Sequence, residues 1–296
     1  MSYAEAIVED SQEVSVEEIG IQTEDGYRLA GSLYQPAVPA EVAIILNGAT
    51  AVPASFYEAF AAWACKEHNA NVIIYDYRDF GKSATSHLRY SKANMADWGI
   101  KDQAAVLDYI VKTMPDLPIW AVGHSLGGLC LMFQEHADRV DRLIAVASGP
   151  AHILRHPLYF MPLAFFFWMG IGPLSTLALG YLPGKSIGFG ADIPKEVFWQ
   201  WRRWCLTKDF HKPDWGKDLP EPDVSRFRGD LQLVGVTDDT FIPPNVNADL
   251  AKFYPAANVL PQKILNPSDF GLKSLGHLKA FSKYNEAVWP TLFSLK

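Results

Sequence analysis

The 296-residue sequence has little cysteine: Cys65, Cys130 and Cys205 are odd in number, far apart and without a C-x-x-C pair. That excludes a disulfide framework and suits three buried thiols in a reducing, cytoplasmic compartment. Positive charge is scarce at the start. No basic residue precedes Arg28, whereas Glu5, Glu9, Asp10, Glu13, Glu17, Glu18, Glu24 and Asp25 all do. Such a start does not fit a secretory or mitochondrial leader, both of which need early positive charge. A formal charge of -7 and the lack of a Lys/Arg cluster argue against nucleic acid as a partner. Repeats and low-complexity tracts are missing too, and the length suffices for one large core or two ordinary ones.

Charge of either sign is absent from Pro157 to Gly184, a stretch that includes Phe165-Phe166-Phe167-Trp168-Met169. Its length would allow a membrane span. Pro162, Gly170, Gly172 and Pro173 are expected to divide it into two helical pieces, each too short to cross, so no transmembrane span is expected. It reads instead as a helical cap, or as an apolar surface for lipid or for a second copy of the chain in a homodimer. Nearby, Phe198, Trp201 and Trp204 recur at helical spacing and read as cap core.

What is present is a rhythm. Val14 to Thr23 and Arg28 to Gln35 read as strands joined at Asp25-Gly26, a hairpin signal. Strands are then expected at Glu41–Leu46, Asn71–Tyr75, Pro118–Val122, Val140–Ala147, Leu231–Val236 and Leu260–Leu265. Helices are expected at Ser55–His68, Met95–Met114, Leu126–Ala137 and Asn245–Tyr254, with a closing helix from Leu278. Short apolar strands alternating with helices imply βαβ units and a mostly parallel sheet covered on both faces. The rhythm breaks between Gly149 and about Pro222. Residues 1–149 and 223–296 therefore form an α/β core, and 150–222 a helical insertion.

Gly123-His124-Ser125-Leu126-Gly127 fits G-x-S-x-G, in which glycines let a strand turn sharply and lift the serine hydroxyl out at the sheet edge. A serine needs a base to take its proton and a carboxylate to orient that base. His277, the only histidine after position 211, sits in a loop after the last strand and is the base candidate. Asp238 and Asp239 follow the strand ending at Val236, where open parallel sheets gather their active residues. Asp239 is preferred, with Asp238 as a turn or cap residue, and Asp79 and Asp269 are weaker candidates. His124 reads as structural, and His68, His87, His136, His152, His156 and His211 as surface or cap residues. The Leu126 N–H and one from Asn47-Gly48-Ala49-Thr50 are expected to form an oxyanion hole, with Ala49 preferred and Thr50 second. No metal or organic cofactor is implied.

These residues resemble the α/β-hydrolase superfamily over nearly the whole chain. Asn47-Gly48-Ala49 looks like its oxyanion loop, Asp76 to Ser83 like its D-x-R-G-x-G-x-S element, and Ser125, Asp239 and His277 like its triad in order. Gly180 to Lys185 and Trp201 to Trp204 look like the cap of a group of bacterial-type predicted serine hydrolases of unknown substrate. The resemblance implies an eight-stranded, mostly parallel sheet, its second strand antiparallel, with the cap inserted after strand 6. It also implies a serine esterase, lipase or thioesterase acting on a small-molecule ester or thioester. An acyltransferase or peptidase would share the site, and a non-catalytic lipid-surface or protein-interaction module would share the scaffold. Asp79 departs from the usual glycine, which puts the turn and an extra charge at the pocket rim in question.

Overall fold

The structure, a computed structural model, describes residues 14–294; Glu5, Glu9, Asp10 and Glu13 lie outside them. The strands are β1 (Ser15–Gln22), β2 (Arg28–Gln35), β3 (Val42–Asn47), β4 (Ala70–Tyr75), β5 (Ile119–His124), β6 (Val140–Val146), β7 (Tyr181–Leu182), β8 (Ile193–Pro194), β9 (Asp230–Val236), β10 (Asn258–Val259) and β11 (Lys263–Leu265). The main sheet runs β1-β2-β4-β3-β5-β6-β9, with β10 and β11 both on the far side of β9. Strand β2 is antiparallel to β1 and β4, and every other pairing in this sheet is parallel. Strands β10 and β11 are two pieces of one edge strand. Leu260 N–H still donates to Leu231 O, but Pro261 has no N–H to continue the ladder. Eight strand positions result, in the expected arrangement.

Inner strands buried on both faces read as unbroken apolar runs, and Val-Ala-Ile-Ile-Leu of β3 is buried throughout. Alternation splits them between two cores. Ile45, Ile73, Ala121 and Leu143 face one side, and Ile44, Val72, Val122 and Ile144 the other. Helices α1 (Glu58–Glu67) and α2 (Gln103–Thr113) belong to these layers, with α3 (Met161–Phe165), α4 (Gly172–Leu179), α5 (Gly184–Ile187) and α6 (Lys195–Leu206) between β6 and β9, and α7 (Pro244–Ala248) and α8 (Trp289–Phe293) beyond. The hairpin turn forms where expected, with Gly26 at φ +86° and its N–H donating to Thr23 O.

Three local expectations need correction. Leu126–Ala137 is not one α-helix but a series of 3₁₀ turns at Ser125–Gly128, Leu131–Phe133 and Ala137–Arg139. Gly127 and Gly128 weaken an α-helix at its first turn, and Leu126 to Met132 are all buried, so packing on every side dictates the path. The segment after Leu278 likewise makes 3₁₀ turns before α8.

Thirdly, Met161–Leu179 is a single helix of 19 residues rather than two pieces. Pro162 sits in its first turn, where no N–H is needed. A π turn over Phe166–Ile171 absorbs Pro173, with Gly172 N–H reaching back to Phe167 O. The disturbed carbonyls find other donors: Arg202 Nε donates to Trp168 O at 2.6 Å, and Thr176 Oγ1 lies 3.0 Å from Gly172 O. Length therefore does not exclude this helix from a bilayer, although its ends rejoin neighbouring strands β6 and β9.

Candidate active site

Strand β5 ends in the serine turn. Ser125 has φ +53°, a left-handed backbone that non-glycine residues rarely adopt. The flanking glycines are required by close approach: a Cβ on Gly123 would stand 2.4 Å from Gly128 N, and one on Gly127 2.0 Å from Asn47 O. Ser148 Oγ donates to Ser125 O at 2.5 Å, and Tyr254 Oη donates to Gly128 O at 3.1 Å. The serine is thus presented by backbone that neighbouring strands hold in place.

Ser125 Oγ lies 3.0 Å from His277 Nε2, and His277 Nδ1 lies 2.8 Å from Asp239 Oδ2. The other Asp239 oxygen accepts from Phe241 N–H at 2.8 Å and Ile242 N–H at 3.0 Å, which fixes the carboxylate on its turn. Asp238, expected to serve its own turn, instead grips the histidine loop, accepting from Leu275 N–H at 3.0 Å and Gly276 N–H at 2.9 Å. Adjacent acids thus fix His277, Asp239 by its ring and Asp238 by the backbone of the two residues before it. The structure does not bring Asp79 or Asp269 to this cluster. Asp79 Oδ2 accepts from Ser91 Oγ, and Asp269 lies in a partly exposed turn with Asn266. Asp79 still takes φ +54°, the conformation that makes glycine usual there, and it does not line the cavity at Ser125. Its charge is therefore not at that cavity.

His124 faces away from the hydroxyl and is fully buried. Its Nε2 is 2.9 Å from His277 O, and a carbonyl only accepts, so Nε2 carries the proton. Nδ1 must then accept from the Tyr57 hydroxyl at 2.7 Å, and that hydroxyl accepts Ala49 N–H at 2.9 Å. Burial pushes His124 down to about 3, so the ring stays neutral and the chain of bonds keeps its direction. This corrects the expected role of Ala49: its N–H is committed to Tyr57 and cannot point at a substrate. Thr50, next along, lines the cavity with Ser125, Leu126 and His277.

That cavity holds about 40 Å³, and its lining includes Met95, Trp168, Trp201, Trp204, Phe210 and Phe241, together with His156 and Cys205. The tryptophans on α6 therefore form wall as well as cap core. His156, expected as a surface or cap residue, is buried with its Nδ1 3.0 Å from Thr240 O, and burial lowers its basicity. Nothing local marks it in sequence. Its placement depends on how residues 150–222 fold over the strand ends. All three cysteines are buried and unpaired, and burial pushes Cys65 up to about 11 and Cys130 up to about 12. Among the described residues no cluster of His, Cys, Asp or Glu could hold a metal ion.

A family profile for the alpha/beta hydrolase fold matches residues 42–171. No curated protein matches the chain. Among solved structures it is similar to a Pyrococcus furiosus esterase, at 14% identity over 95% of this chain and 90% of that one, with a TM-score of 0.57. It is also similar to an enzyme that degrades N-acyl homoserine lactones, at 15% identity over 92% and 98%, TM-score 0.59. A third is DcsB, solved with a substrate analogue, at 16% identity over 95% and 98%, TM-score 0.61. The strand order, the matched profile and these likenesses agree: the chain has the α/β-hydrolase fold.

Proposed function

We propose that the protein is a serine hydrolase that cleaves a carboxylic ester or thioester through an acyl-serine intermediate. The reading rests on one observation above others: Ser125, His277 and Asp239 stand in unbroken hydrogen-bond contact on three separate loops, with the serine on a left-handed turn. His277 donates Nδ1–H to Asp239, which leaves Nε2 free to take the Ser125 proton as Oγ attacks the carbonyl carbon. The oxygen that becomes negative is met by the N–H groups of Leu126 and Thr50. His277 then protonates the leaving alcohol or thiol, and water, deprotonated by the same ring, releases the acid. Neither a metal nor an organic cofactor takes part in these steps.

The wall of Trp168, Trp201, Trp204, Phe210 and Phe241 supports an apolar acyl group. At about 40 Å³ the cavity has space for water but not for an acyl chain, so residues 150–222 act as a cap that must shift to admit it. The cap's outward apolar face is a contact surface, for lipid or for a second copy of the chain. Three buried free thiols support a cytoplasmic setting. The test is fluorophosphonate labelling of the wild type beside Ser125→Ala, followed by ester and thioester panels of graded acyl length. Labelling only of the wild type, with turnover rising with acyl length, is expected. Equal labelling of both proteins overturns the nucleophile, and flat turnover across the panel overturns the apolar acyl site.

A further inference from the structure

We infer that the outward face of the Met161–Leu179 helix docks on anionic lipid surface, with the helix lying in the plane of the membrane. Ala164, Trp168, Gly172 and Thr176, four residues apart, form its buried stripe. Trp168 stacks on Phe198 and meets Trp201 edge-on, and it is the member of this stripe that walls the cavity at Ser125. A helix on a water-facing surface should carry charge on its other side. Here that side shows Leu163, Phe166, Met169, Leu174 and Leu177, exposed by 59, 61, 50, 68 and 68%, and the approach to the helix adds Leu158 at 85% and Tyr159 at 78%. At 1.5 Å per residue the face runs about 28 Å, far beyond a scattered exposed leucine.

Charge around this face selects the occupant. No acid lies between Pro157 and Gly184. The cations that reach the helix are Arg202, on Trp168 O and against Met169, and Arg89, on Leu179 O, with Lys185 following in α5. Arg155 is neutralised by Asp249 and does not count, and Asp192, which accepts Lys185 N–H, offsets one cation. A net positive rim on a chain of formal charge -7 runs against the overall charge. An uncharged face bordered by guanidinium and ammonium groups is the pattern of a helix that rests among anionic headgroups with its apolar side in the acyl boundary. A second copy would bring an equally positive rim against this one. The helix does not span the bilayer, because its inner stripe is fastened to α6 and its flanking chain returns to paired strands β6 and β9.

The inference deepens the proposed hydrolase by naming the surface from which an apolar ester would be drawn, and it rests on that reading only for this purpose. The experiment is flotation with phosphatidylcholine vesicles, with and without phosphatidylserine, at low and high salt. The wild type is compared with Phe166→Glu/Leu177→Glu and, separately, with Lys185→Glu. Binding to serine-containing vesicles is expected. It should fall by about tenfold or more in the double variant, where two charges would have to be dehydrated. A smaller loss, confined to the anionic vesicles and removed by salt, is expected for Lys185→Glu. Thermal melting must be unchanged in each variant. Wild type that stays with the soluble fraction on both vesicle types overturns the inference. So does light scattering that finds a wild-type dimer dissociated by the double variant, which would assign the face to a second copy. Fluorophosphonate labelling of the same samples reports Ser125 independently, so failure to float and failure of the hydrolase reading are told apart.

Discussion

The serine turn and the Met161–Leu179 helix are both built from small and apolar residues, yet they treat their surroundings in opposite ways. Around Ser125 the neighbouring polar groups have named partners: Asn47, Tyr57, His124, Ser148, Asp238 and Tyr254 each hold a loop in place. The helix has one side fastened just as firmly, through Trp168, whose carbonyl accepts from Arg202 and whose ring stacks on Phe198, and another side that is largely exposed. The difference separates two uses of apolar sequence. Where polar atoms are buried, apolar neighbours raise the cost of losing a hydrogen bond and so fix geometry. Where none are present, the same residue types offer only area.

The comparison breaks first at the serine turn. Ser125→Ala is expected to lower kcat on an activated ester by about 10⁴-fold or more, and Asp239→Asn by about 10³- to 10⁴-fold, because His277 would lose the acceptor that fixes its tautomer. Asp238→Asn should cost far less, about tenfold, since it loosens the loop without changing the ring's partner. Equal losses at the two acids would undo their distinct roles. On the helix, Trp168→Ala should destabilise the fold by about 3–5 kcal/mol in urea melts. Tyr57→Phe leaves Ala49 N–H and His124 Nδ1 without partners, at about 1–3 kcal/mol each, and should lower kcat more than it raises KM.

Acid provides a subtler probe. Burial holds His211 down at about 3, with Nδ1 accepting from Trp215 Nε1–H. A histidine depressed in the fold contributes stability above its unfolded value, near 6.5, and loses it progressively as pH falls toward 3. Unfolding free energy should therefore drop with acid by about 1.4 kcal/mol per pH unit for this proton. His211→Phe should make the slope between pH 6 and 4 shallower by one proton in urea titrations. The smallest effect belongs to the outer side of the helix. Leu174→Ala and Leu177→Ala should change stability by no more than about 0.5 kcal/mol, and a loss like that of Trp168→Ala would mean that this face is packed after all.

The sheet was readable because each inner strand is a short apolar run bounded by turn residues, and the loops bearing Ser125 and Asp239 follow such runs, while that bearing His277 follows the edge strand. The engagement of Ala49 N–H by Tyr57, on which the proposal of Thr50 rests, was not readable. It depends on where the Tyr57 hydroxyl lies, and nothing in Asn47-Gly48-Ala49-Thr50 reports that. His156 escaped for a similar reason, since its burial is set by a segment without strand rhythm. Pro162 and Pro173 suggested breaks in an apolar stretch that is continuous. The donor that relieves it, Arg202, comes from a helix some thirty residues downstream, and local patterns do not encode such a rescue.

The bonds from Ala49 through Tyr57 and His124 to the His277 carbonyl tie loops from opposite ends of the chain into one mechanical unit. A substrate that pushes on the Asn47–Thr50 loop must also pull on the loop that carries His277, the proposed proton acceptor. Substitutions that widen the entrance on that side will therefore retune proton transfer as well, and the two properties will be inherited together.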